Sequence, residues 1–229
     1  MKRIGLLGGM SWESSVEYER IVNTEVRRRL GGVHSADLIV RSYDFAEIEA
    51  LQDSGNWDAA GRLLAGDAIA LQASGAEVVV LCTNTMHRVA DAIESALDVT
   101  FLHLADTTAD AVRSAGIDTV ALLGTRYTME QDFYRGRLER HGLTVLVPEE
   151  PDRTTVHDVI YDELVRGRIE PRSRQRYLEI IDRLLARGAG GVVAGCTEIE
   201  LLVAPEDVDC PYFPTTRLHA LAAVDAALG

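Results

Sequence analysis

Two short segments of this chain end an apolar run in residues that could do acid/base chemistry. Ser74 to Thr85 reads SGAEVVVLCTNT, and Arg187 to Glu198 reads RGAGGVVAGCTE. They align without a gap: Gly75-Ala76 over Gly188-Ala189, Val79-Val80 over Val192-Val193, and Thr83 over Cys196. A second echo precedes each, Gly5-Leu6-Leu7-Gly8 and Ala121-Leu122-Leu123-Gly124. The chemistry turns on Thr83 and Cys196. Cys196 lies between an apolar strand and the start of a helix, and a helix N-terminus lowers a thiol pKa and favours the thiolate; its plain alternative is a buried structural cysteine. Thr197 and Glu198 look like cap residues of that helix. Cys82 lies one residue before the position matched to Cys196, so the alternation of a strand aims it into the lobe. Cys210, before Pro211, reads as packing.

Two further constellations are weaker. GLLGGMS places glycines where backbone N–H groups could approach an anion at a helix start. It is neither G-x-G-x-x-G nor a loop ending in G-K-[ST], so carboxylate binding is a better reading than nucleotide binding. His87, His103 and His219 could be combined with Cys82 and Cys196 on paper, but no pair has zinc-like spacing, and no metal is expected.

The elements that position these residues follow from periodicity. Short runs of Val, Ile and Leu alternate with helix-period segments, as in parallel sheets covered on both faces. Strands are expected near 3–9, 37–43, 77–82, 99–103, 118–124, 143–147, 190–195 and 211–214. Trp57, Ala60, Leu64, Ala68 and Leu71 mark one helix face, Ser14 and Glu17 have capping-box spacing, and 148–187 carries two helices parted near Gly167 to Pro171. The internal echo predicts two similar α/β lobes. Ligands of open α/β sheets gather at the carboxyl ends of strands, where Gly8-Gly9-Met10-Ser11, Thr83-Asn84-Thr85, Gly124-Thr125 and Cys196-Thr197-Glu198 all fall; the active site is expected in the cleft between the lobes.

Composition narrows the function. The 229 residues are 47% hydrophobic, enough for a sizeable core, and the net charge of -13 disfavours a nucleic-acid partner. The opening residues are too short and Gly-rich a run for a secretory signal, and no membrane-length segment follows. Three widely spaced cysteines do not make a disulfide framework, so a cytoplasmic location is expected. Lys2 is the only lysine and precedes the first strand, which argues against a pyridoxal phosphate Schiff base.

GLLGGMSWES, CTNTMH, GTRYTMEQDFY and AGCTEIE, in this order, resemble the aspartate/glutamate racemase family across essentially the whole chain, and most closely its bacterial branch of broad amino-acid and aspartate/glutamate racemases. The resemblance implies two pseudo-symmetric lobes, each a four-stranded, mostly parallel sheet flanked by helices, with the last strand and helix returning to the first lobe: 1–104 plus 209–229, and 105–208. It implies a cofactor-independent enzyme, usually a homodimer, that inverts an amino-acid α-carbon by two-base proton transfer. Cys196 would act on the L-isomer and Thr83 on the opposite face. Met10, Asn84, Thr85, Thr125, Thr128, Thr197 and Glu198 would bind substrate. The chain departs from the family's Cys-Asn-Thr at Thr83-Asn84-Thr85, and a threonine hydroxyl is a much weaker acid than a thiol. A single-cysteine decarboxylase or isomerase and a non-enzymatic amino-acid-binding relic therefore stay open. Tyr43 to Gln52 contains no Arg or Lys to hold a distal carboxylate; Gln52 and Arg166 are candidates for the side chain, and homoserine joins aspartate and glutamate as a candidate substrate.

Overall fold

The computed structural model describes all residues, 1–229. Its eight strands are β1 (Ile4–Gly8), β2 (Leu38–Ser42), β3 (Val78–Leu81), β4 (Thr100–Leu102), β5 (Thr119–Gly124), β6 (Thr144–Leu146), β7 (Val192–Gly195) and β8 (Tyr212–Pro214). Each falls within a range expected from sequence. The helices are α1 (Trp12–Leu30), α2 (Phe45–Asp53), α3 (Trp57–Ala73), α4 (Ala90–Glu94), α5 (Leu104–Ser114), α6 (Arg126–Glu130), α7 (Asp132–Arg140), α8 (Asp152–Asp162), α9 (Pro171–Ala186), α10 (Thr197–Leu202) and α11 (Thr215–Leu228).

The chain divides into two units, Met1–Leu104 with His219–Gly229, and Ala105–Leu218. The first contains the sheet β2-β1-β3-β4 and the second the sheet β6-β5-β7-β8, and every pairing is parallel. The same strand order occurs twice, and so does the register. Leu6 pairs with Val80 in the first sheet and Leu122 with Val193 in the second, so the echoed segments occupy equivalent places.

One expected boundary is wrong. The expectation puts residues 209–218 in the first lobe, yet Val193 pairs with Phe213 and Tyr212 Oη donates to Val203 O at 3.0 Å. The last strand completes the second sheet, and only the chain from His219 onward belongs to the first unit.

Period-two alternation decides what each strand residue faces. In the first unit, Ile4, Leu6, Val78, Val80 and Cys82 pack with Tyr18, Val22 and Val26 of α1 and Ala220, Ala223 and Val224 of α11. Leu7, Val79 and Leu81 pack on the other face with Ile48 of α2 and with Ala60, Leu64, Ala68 and Leu71 of α3. Each buried Leu, Ile or Val is worth roughly 1.5–3 kcal/mol relative to exposure, so the face occupied by each strand residue is strongly specified. In the second unit Ala121, Leu123, Val192, Ala194 and Cys196 line one face with α8 and α9 residues such as Val156, Tyr177 and Ile181.

Helix α1 begins earlier than Ser14 and Glu17 suggest. Ser11 is its N-cap and accepts from Ser14 N, while Ser14 Oγ donates to Cys82 O at 3.2 Å and Glu17 pairs with Arg20. Gly9 has φ of 83°, and a Cβ there would lie 2.3 Å from Tyr43 N and 2.4 Å from Tyr43 O. Only glycine allows β1 to turn so close to the chain leaving β2. No helix is long and apolar enough to cross a membrane.

Candidate active site

In the first unit Met10 after β1, Gln52 on α2, and Thr83, Asn84 and Thr85 after β3 are all buried, and Gln52 and Met10 both pack with Met86, the residue after Thr85. Thr83 follows β3 by two residues. Its carbonyl oxygen is 2.6 Å from His87 Nδ1, and His87 Nε2 is 3.1 Å from Leu104 N. A backbone N–H can only donate, so Nε2 is the unprotonated nitrogen and Nδ1–H donates to Thr83 O. His87 thus ties the Thr83 peptide to the start of α5. The sequence offered His87 only as a metal candidate; the four-residue spacing from Thr83 is the signal that could have revealed this contact. No group of three or more His, Cys, Asp or Glu side chains is placed to hold a metal ion.

His219 stacks edge-on with Tyr18 and His87. Its Nε2–H donates to Leu102 O at 2.8 Å, which leaves Nδ1 to accept from Tyr18 Oη, also at 2.8 Å. Burial lowers its pKa to about 4, so the ring is neutral near pH 7.

The glycine loop is less open to an anion than its composition suggests. Gly9 N–H donates to Ser15 Oγ at 2.6 Å, and Ser15 Oγ donates to Ser11 O at 3.1 Å. Arg166, a candidate for the substrate side chain, is exposed, with its guanidinium 3.9 Å from Asp162.

In the second unit Thr125, Thr128, Cys196, Thr197 and Glu198 are all buried at the ends of β5 and β7. Thr125 caps α6, with its Oγ1 3.2 Å from Thr128 Oγ1. Thr197 is not a cap: Cys196 occupies the N-cap position of α10, and Thr197 Oγ1 is 2.7 Å from Thr216 Oγ1. Thr216 N–H donates to Glu200 at 3.0 Å. Nothing in the run PTTRLHA distinguished Thr216.

Cys196 Sγ donates to Glu198 Oε2 at 2.8 Å, with the two residues 9% and 7% exposed. The expectation of a thiolate favoured by the helix N-terminus is overturned here. Burial first, then the Glu198 carboxylate, push the Cys196 thiol well above its ordinary value, and the backbone N–H of Glu198 offsets this only in part. Helix α10 has six residues and carries Glu198 and Glu200 in its first turn, so its field is opposed by full charges at close range. The resting pair is a thiol donating to a carboxylate.

Cys82 is fully buried within the α1 and α11 core, and burial raises its pKa. Its counterpart in the matched register is Gly195, where a Cβ would lie 2.7 Å from Leu123 O. Thr83 and Cys196 are therefore the equivalent pair, and Cys82 has a packing role.

This fold, in which matched parallel sheets carry a hydroxyl and a thiol at equivalent strand ends, defines a class of internally duplicated α/β proteins. Residues 7–223 match the Asp/Glu/hydantoin racemase family, and the chain belongs to it. A proposed Asp/Glu racemase from Yersinia pestis is 53% identical with a TM-score of 0.95, covering 100% of both chains. An aspartate racemase homologue from Pyrococcus horikoshii OT3 is 30% identical with a TM-score of 0.87, again over 100% of both. The aspartate racemase of Picrophilus torridus is 19% identical with a TM-score of 0.77, covering 99% of this chain and 94% of that one, and shares the fold.

Proposed function

We propose that this protein racemises an amino acid of the aspartate/glutamate type, or a neutral analogue such as homoserine, without a cofactor. The observation that carries the reading is the equivalence of Thr83 and Cys196 at the ends of strands paired in the same register. A racemase needs an acid/base group for each face of the α-carbon, because a single group tends to return the proton to the face it left.

Catalysis from the L-isomer starts with the Cys196 thiol passing its proton to the Glu198 carboxylate. The thiolate then removes the α-proton, and the Thr83 hydroxyl protonates the carbanion from the other side. Glu198 releases its proton to solvent, and the Thr83 alkoxide recovers one through water. Asn84, Thr85, Thr125, Thr128 and Thr197 hold the substrate's carboxylate and ammonium and stabilise the developing charge. Enantiomers have equal free energy in achiral water, so kcat/KM must be equal in the two directions even if kcat and KM differ separately. The only lysine, Lys2, is exposed ahead of β1, which supports a mechanism free of pyridoxal phosphate. A cytoplasmic homodimer completes the proposal.

Proton NMR of L-aspartate, L-glutamate and L-homoserine incubated with the protein in D₂O, with chiral chromatography of the same samples, tests this reading. Loss of the α-proton signal together with growth of the D-isomer is the expected result, abolished in Cys196→Ser. Exchange without inversion would remove Thr83 from the mechanism, and no exchange with any amino acid would remove racemisation.

A further inference from the structure

Gln52 is 5% exposed, and its side-chain oxygen has no hydrogen-bond partner. The nitrogen of the same amide lies 3.1 Å from Met86 Sδ. A thioether sulfur can only accept, so the N–H end faces the sulfur and the carbonyl is the end left over. Turning the amide would set its oxygen against the sulfur lone pairs. A buried acceptor without a donor is unfavourable, and a ligand that brings a donor relieves it whereas one that brings only acceptors does not.

The setting supports the same choice. Met10, Tyr43, Ile48 and Met86 form one apolar cluster, and Met86 directly follows Thr85. The two methionines are unbranched and repack readily, so a small side chain can displace them to reach the carbonyl. The segment Tyr43 to Gln52 contains no Arg or Lys that could pair a second carboxylate, and Arg41, over the Tyr43 ring, is already paired with Asp67.

We infer that Gln52 selects substrates whose side chain ends in a neutral hydrogen-bond donor, an amide or a hydroxyl, over those that end in a carboxylate. The inference rests on the amino-acid reading above for the class of ligand, and on the orphaned carbonyl for the choice within it.

Isosteric pairs isolate this preference: L-asparagine against L-aspartate, and L-glutamine against L-glutamate, titrated calorimetrically, with α-proton exchange in D₂O followed on the same samples. The amide of each pair is expected to bind at least about tenfold more tightly, roughly the net effect of one hydrogen bond. Gln52→Leu should lower that ratio by about tenfold. Met86→Leu, a volume-conserving change, should lower it too, because the Gln52 amide is then free to present either end; this variant serves if Gln52→Leu does not fold. Equal or tighter binding of the acids by the natural protein, a ratio unchanged in Met86→Leu, or no binding of any of the four would overturn the inference. Amide preference without exchange would leave it standing and remove racemisation. Exchange with preference for the acids would do the reverse.

Discussion

Replacing Glu198 by glutamine should make Cys196 more reactive toward an alkylating agent and less able to racemise. The Cys196 sulfur and the Glu198 oxygen are 2.8 Å apart. Two full negative charges at that separation repel by about 6 kcal/mol at an effective dielectric near 20, which adds to burial in holding the thiol protonated. The pair therefore holds a single negative charge at neutral pH, and a thiolate forms only when the carboxyl takes the thiol's proton. The neutral amide introduced by Glu198→Gln would remove the repulsion but could not accept that proton. Burial, the larger cause of the raised thiol pKa, persists, so only part of the calculated effect should appear. Alkylation of the Cys196 peptide by iodoacetamide, read by mass spectrometry at about pH 8, where an ordinary thiol is partly ionised, should accelerate by about tenfold or more. Racemisation should fall by about 10²-fold, the lower end of what a positioned base contributes. If both rates rise or both fall in Glu198→Gln, the shared-proton account is refuted.

Other substitutions test separate parts of the argument. Thr83→Cys should raise kcat/KM at least about tenfold in both directions equally, because a thiol ionises far more readily than an alcohol; chiral chromatography from each enantiomer checks this, and a gain in one direction alone would signal an artefact, since the equilibrium constant is fixed. Cys82→Ala should cost about 1 kcal/mol in urea denaturation through lost packing and leave racemisation intact; loss of activity would return Cys82 to the mechanism. Gly9→Ala should destabilise by more than about 1 kcal/mol, since its Cβ would meet backbone atoms of Tyr43 at 2.3 and 2.4 Å, seen as a lower melting temperature. His219 has a folded pKa of about 4 against 6.5 for a free ring, so the unfolded chain takes up its proton first on acidification. The stability it contributes is complete above about pH 6.5 and is lost as pH falls toward about 4, amounting to about 2 kcal/mol by about pH 5; urea midpoints at about pH 7 and about pH 5 should converge in His219→Gln.

The strands could be read from the sequence because parallel strands covered on both faces are uninterrupted apolar runs, and the duplication was readable because each run ends in the same small residues. The assignment of β8 was not. Tyr212-Phe213-Pro214 is a three-residue edge strand that pairs with Val192–Ala194, 20 residues earlier, and so short a run does not itself show which of the two sheets it joins. The start of α1 was misplaced because Ser11, Ser14 and Ser15 are all chemically fit to cap, and only the backbone turn after Gly9 selects Ser11. At the candidate site, the matching of Thr83 with Cys196 followed from the internal alignment, and the inward placement of Cys82 from strand alternation. The ionisation state of Cys196 did not, because a helix-terminus argument counts a dipole and misses a carboxylate 2.8 Å from the sulfur.

The duplicated framework makes the difference between its two copies informative. At the equivalent strand ends one copy supplies a thiol with a carboxylate to take its proton, and the other a hydroxyl whose peptide carbonyl is held by a neutral His87. His87 touches the Thr83 backbone and not its hydroxyl in this hydrogen bond, so it fixes where Thr83 points without making it a better base. An enzyme built this way would remove a proton readily at Cys196 and with difficulty at Thr83. Because kcat/KM must match in both directions, that asymmetry can appear only as tighter binding and slower turnover of one enantiomer. The D-isomer, whose α-proton Thr83 must take, should be the one with both the lower KM and the lower kcat, and the opposite pairing would assign the two residues to the wrong faces.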